Sequence, residues 1–173
     1  MLLTLLIALA SAGSILDVGL GNGSDGPANF AGAILLPRGQ ILGADVPANA
    51  TQLAIDDAAS FEVGDLALIW HAVGAPRDEG ASPSTDIGLS GSVVWARVQA
   101  VDPVANTLTV DAPLPAITAL GTQVLNVPEY TDIVIQSTAV LTVPSWDGST
   151  GGITVLLATG TITNDGLVEA SGS

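Results

Sequence analysis

Short runs of alternating apolar and polar residues, broken by Gly, Pro, Asp, Asn and Ser, set the pattern of this chain. Runs of this length built on Val, Ile and Thr predict strands and turns. After the first dozen residues no stretch of ten or more keeps a helical period, so the expected fold is all-β. "TQLAIDDAASFEVGDLALIWHAVG" (51–74) reads as strand, turn, strand. Within it, Leu66, Leu68, Trp70 and Ala72 share one face and Ala67, Ile69, His71 and Val73 the other, which predicts burial on both sides. "SVVWARVQAVDPVANTLTVDAPL" (92–114) reads as a hairpin: a long strand to Val101, a turn through "DPVAN", and a return through "TLTVD". Residues 51–114 thus have the strand lengths of a small β-barrel or sandwich. Between the two, the polar, breaker-rich "APRDEGASPSTDIGLSG" (75–91) is expected to be a mobile surface excursion.

Toward the C-terminus the strands shorten. "TAVLTV" (138–143), "TGTITN" (159–164) and "DGLVEA" (165–170) superpose loosely, each with a small residue near its start and an aliphatic one after it. Brief strands stacked through repeated corners predict the first rungs of a β-solenoid over 121–173. If the chain is complete at Ser173, the solenoid's last rung leaves unpaired N–H and C=O groups, and strand addition between subunits, giving dimers or filaments, is expected there. Residues 13–50 form a Gly/Ala/Asp-rich N-terminal segment, with a turn cluster at "GNGSDGP" (21–27).

Composition adds a location. "MLLTLLIALASAG" is apolar over the length of a signal-peptide core, too short to span a bilayer, and its Ala10-Ser11-Ala12 suits signal peptidase. A signal peptide over 1–12 predicts a secreted or cell-surface protein without a membrane span in the mature chain, although no basic residue precedes the apolar run. With 17 acids against three arginines the net charge is -14, which repels phosphate backbones and argues against nucleic-acid partners. Cysteine is absent, which removes disulfides, thiolate catalysis and cysteine zinc sites.

Candidate chemistry is thin. His71 is the only histidine, sits in an apolar strand, and reads as packed rather than catalytic. Ser92, Ser145 and Ser149 have no nucleophile elbow or nearby base. The adjacent Asp56 and Asp57 face opposite ways on a strand, and Asp78, Glu79 and Asp86 fall in the excursion, so no carboxylate pair suits glycan cleavage. No catalytic residue is assigned. Hard cations want clustered oxygens, which makes Asp17, Asn22, Asp25 and Asp147 the candidate calcium ligands, against ordinary turn chemistry as the competing reading. Trp146, heading a turn, is the candidate carbohydrate platform, whereas Trp70 and Trp95 lie in apolar strands and read as core.

The order "LGNGSDGP", "FEVGDLALIW", "WARVQAVDPVANTLTVDAPL" and "VLNVPEYTDIVIQSTAVLTVPSWDGSTGG" resembles the N-terminal region of large secreted or cell-surface adhesin-like β-solenoid proteins of myxobacteria and related Gram-negative bacteria. "VPSWDGSTGG" is the most specific block of that resemblance. It implies surface structure or adhesion rather than a known reaction. Such proteins continue past "ASG" into more repeats, so it also implies an isolated domain or a shortened reading frame. The expectation is a non-enzymatic structural or adhesion module that pairs through sheet edges with itself or with other surface proteins. A glycan-binding or glycan-cleaving β-helix of the tail-spike or lyase kind is one alternative, and a filament subunit joined by strand addition is the other.

Overall fold

The computed structural model describes residues 21–73 and 90–171. Within them every regular element is a strand except one 3-10 turn, Ala58–Ser60, so the all-β expectation holds. Two kinds of sheet are present.

The larger is antiparallel and has six strands. They are β3 (Gln40–Ile41), β4 (Gln52–Ala54), β5 (Leu66–His71), β6 (Val93–Asp102), β7 (Thr107–Val110) and β8 (Thr122–Val127), in the order β3-β8-β5-β6-β7-β4. The sheet curls until its two edge strands meet at a bridge between Leu42 and Ile55, backed by Gly43 N–H donating to Ala54 O at 2.8 Å. Its concave side encloses Leu42, Leu53, Ile55, Phe61, Ala67, Ile69, Ala96, Val98, Leu108, Val110 and Val124. Each fully buried aliphatic side chain of that set contributes about 1.5–3 kcal/mol. The alternation read along residues 66–73 is realised, because Leu66, Leu68 and Trp70 turn to the convex side. There they pack with Trp95, Leu125 and Val127 against Ile153, Val155 and Leu157. The hairpin stands as read, with β6 reaching Asp102. The Asp102 carboxylate accepts from the Val104 and Ala105 amides at 2.9 Å, and Asn106 takes the left-handed conformation at φ 51°. The sheet is wider than the expected 51–114, drawing β3 and β8 from either side.

The second kind is parallel and short. β1 (Ala28–Phe30), β10 (Ile133–Ile135) and β13 (Ile162–Asn164) form one sheet, with Ala28, Ile133 and Ile162 in one column. β2 (Ala33–Leu35), β11 (Val140–Thr142) and β14 (Leu167–Glu169) form another, with Ile34, Leu141 and Val168 aligned. β9 (Glu129–Tyr130) pairs with β12 (Leu157–Ala158) in a third. Together they make a stack of three layers around Ile133, Ile135, Ala139, Leu141 and Val143.

Two expectations are revised here. The three sequence copies are not equivalent: "TGTITN" pairs with "TDIVIQ", whereas "DGLVEA" pairs with "TAVLTV". The repeating unit is therefore two strands and a corner, which a search for single-strand copies blends together. The stack also begins early. β1 and β2, inside the Gly/Ala/Asp-rich N-terminal segment, supply its first layer, and the antiparallel sheet is a lateral insertion between the first and second layers. The signal sequence and residues 75–89 of the excursion lie outside the described residues.

Candidate functional site

The stack and the inserted sheet meet at two polar nodes. The first centres on Glu129, which opens β9 and is 1% exposed. Its carboxylate accepts from the Arg97 guanidinium on β6 at 2.6 and 3.1 Å, and from the backbone amides of Gly21 and Asn22 at 3.0 and 3.2 Å. Its own amide donates to the Asp25 carboxylate at 2.6 Å. Burial pushes the Glu129 carboxyl up, but the Arg97 guanidinium and the two amides outweigh it and hold the group below the usual range. The Glu129 bond in turn raises Arg97. Sequence reading missed this node, because nothing local distinguishes Glu129 in "VPEY" from a solvated acid.

The second node is the "SWDGSTGG" turn. Asp147 Oδ1 accepts from the Ser149 and Thr150 amides at 2.8 and 2.9 Å, and Oδ2 accepts from Arg38. The two amides first, and Arg38 after them, hold this exposed carboxyl below its usual range. Gln123 of β8 is buried and clasps the turn through two 3.0 Å bonds, Nε2 to Gly151 O and Gly151 N–H to Oε1. Gly151 sits at φ +100°, and a Cβ there would strike the carbonyls of Ser145 and Pro144. Only glycine fits this turn.

Among the described residues the candidate calcium ligands are engaged in hydrogen bonds within the protein. Asp17 lies outside the described residues. The Asn22 side chain accepts from the Ser24 amide, Asp25 serves Glu129, and Asp147 serves its own turn and Arg38. Among the described residues no three His, Asp or Glu side chains form a group able to hold a metal ion. Trp146 is 37% exposed at the head of its turn, whereas Trp70 and Trp95 pack on the convex face.

His71 is 2% exposed. Strand pairing brings Ser92 Oγ within 3.0 Å of its Nδ1, a contact invisible in sequence because the excursion separates the two residues. Nε2 is buried without a partner among the described residues. Among the described residues no carboxylate bonds the imidazole to orient it as in a triad, and the ring is buried. Burial lowers the His71 pKa, partly opposed by the imidazole's hydrogen bonding to the Ser92 backbone.

No helix among the described residues is long and apolar enough to cross a membrane. No family model and no curated protein matches the chain. Among solved structures it is similar to three phage tailspikes. The tailspike gp61 of Pseudomonas phage phi297 is 12% identical, with 69% of this chain covered and a TM-score of 0.40. The Gp54 tailspike of Acinetobacter baumannii bacteriophage AP22, solved in complex with A. baumannii capsular saccharide, is 12% identical over 67% with a TM-score of 0.41. The tailspike gp49 of Pseudomonas phage LKA1 is 14% identical over 68% with a TM-score of 0.40. The matched region spans 22%, 24% and 22% of those chains, respectively.

Proposed function

We propose that this chain is an extracellular, non-enzymatic structural or adhesion module, whose parallel layers are the opening coils of a β-solenoid and which associates through its sheet edges. One observation carries the reading. The inward residues of the middle layer, Ile133, Ile135 and Leu141, are 0%, 1% and 0% exposed, whereas Ile162, stacked on Ile133, is 50% exposed. Apolar core left bare along a strand edge is a template for another strand. The export-like start and the resemblance to surface-protein N-termini support an extracellular setting. Paired Lys substitutions at Ile162 and Leu167 test the reading by sedimentation velocity. The wild type should sediment as species larger than a monomer, growing with concentration, and the variant as a monomer with unchanged circular dichroism. A wild type that stays monomeric at every concentration would sink it.

A glycan-binding reading rests on a different observation, the part-exposed Trp146 indole on a turn held rigid by Asp147, Gln123 and Gly151. A fixed aromatic face suits stacking on a sugar ring. Glycan-array binding that disappears in Trp146→Ala would favour this reading over the structural one.

A further inference from the structure

We infer that the strand partner at the open edge is a second copy of this chain, stacked head to tail so that its first layer follows the third layer of its neighbour. The inference rests on the edge-association reading and adds the partner, the direction and the register.

Backbone polarity is the first argument. In a parallel ladder alternate residues point both backbone groups to one neighbour. Ile133 N–H donates to Thr161 O and Asp165 N–H to Ile135 O, both at 2.9 Å, so on β13 the odd-numbered residues face β10. Ile162 and Asn164 therefore point their N–H and C=O groups outward. On the far side of the stack, Ala28 N–H donates to Asp132 O and Gln136 N–H to Phe30 O, so β1 turns Ala28 and Phe30 inward and Asn29 outward. An outward Asn29 from a second copy fits between Ile162 and Asn164, opposite Thr163. That is the register that already relates the layers within one chain. The other sheet agrees. Leu167 N–H donates to Ala139 O and Val143 N–H to Glu169 O, which leaves Val168 outward. Leu36 N–H donates to Thr142 O and Val140 N–H to Gly32 O, which leaves Ala33 and Leu35 outward to straddle it.

Corner length is the second argument. Two residues, Asp165 and Gly166, join β13 to β14, and two, Ala31 and Gly32, join β1 to β2. The middle layer uses the four residues 136–139. Layers three and one can therefore pair in both sheets at once with matched corners. Inward columns would continue as Ile162 on Ala28 and Val168 on Ile34, apolar on apolar.

Charge sets the direction. The third-layer edge carries Asp165 and Glu169, whereas residues 28–35, "ANFAGAIL", carry no charge. Two third-layer edges would oppose acids to acids, and a third-layer edge on a first-layer edge does not. Such a heterologous contact does not close on itself, and it generates open filaments.

The cysteine-free sequence makes the test clean. Thr163→Cys and Asn29→Cys change solvent-exposed side chains predicted to lie opposite each other between copies, within disulfide reach of adjacent strands. Mixed and mildly oxidised, the two variants should give a covalent dimer on a non-reducing gel, with each variant alone remaining monomeric on the gel. The chain carrying both changes should give a ladder. Self-crosslinking of Thr163→Cys alone would overturn head-to-tail stacking while leaving edge association standing. An absence of crosslinks together with a monomeric wild type would overturn both.

Discussion

Glu129 is the residue on which the junction turns. A carboxylate at 1% exposure is stable only because Arg97 and two backbone amides surround it. Glu129→Ala leaves the Arg97 charge without that partner at a largely buried position and should cost about 3 kcal/mol of unfolding free energy, measured by urea denaturation. The pH dependence has two limbs, both of the same sign. His71 titrates below its ordinary 6.5 in the folded chain, so its share of stability is complete above pH 6.5 and is lost as pH falls through the folded value. Glu129 titrates below its ordinary 4.5, so its share is complete above pH 4.5 and is lost at still lower pH. Denaturation across a pH series should show the upper limb flattened by His71→Gln and the lower limb by Glu129→Gln. Neither residue advertised this role in sequence, because the partners Ser92 and Arg97 arrive through strand pairing rather than through spacing.

Elements were legible where burial alternates and opaque where pairing is long-range. Residues 66–73 show two apolar faces, and the sheet has a core on each side of them. The Asp102–Asn106 turn was likewise legible from its breakers. β1 and β2 were not, because three-residue strands in a glycine-rich stretch carry no period and their partners β10 and β11 lie beyond the whole inserted sheet. Corners set the spacing of the layers, and Gly166 is the tightest of them. A Cβ there would strike the carbonyl oxygens of Gln136 and Ala139 and approach the Ile135 side chain to 3.0 Å. Gly166→Ala should therefore destabilise the chain by about 1–3 kcal/mol. Hydrogen exchange should show protection falling first at Leu167, whose amide bonds Ala139 O at 3.0 Å. Gly148→Ala, in the Asp147 turn with open space around its Cβ, serves as the comparison for backbone strain at φ +104° alone.

At the scale of the molecule, a parallel stack carries an antiparallel sheet on its flank, clasped by Arg97–Glu129 and by Gln123 with Gly151. The stack's third layer holds core-type residues without a fourth layer over them among the described residues. The central claim is that this edge awaits a strand, and amide hydrogen exchange of the wild type against protein concentration tests it most directly. The amides of Ile162, Asn164 and Val168, which point away from the stack, should exchange fast in dilute solution and become protected as concentration rises. The amide of Thr163, which faces β10, should be protected throughout. Outward amides that exchange fast at every concentration, or that are already protected in a dilute monomer, would contradict the account.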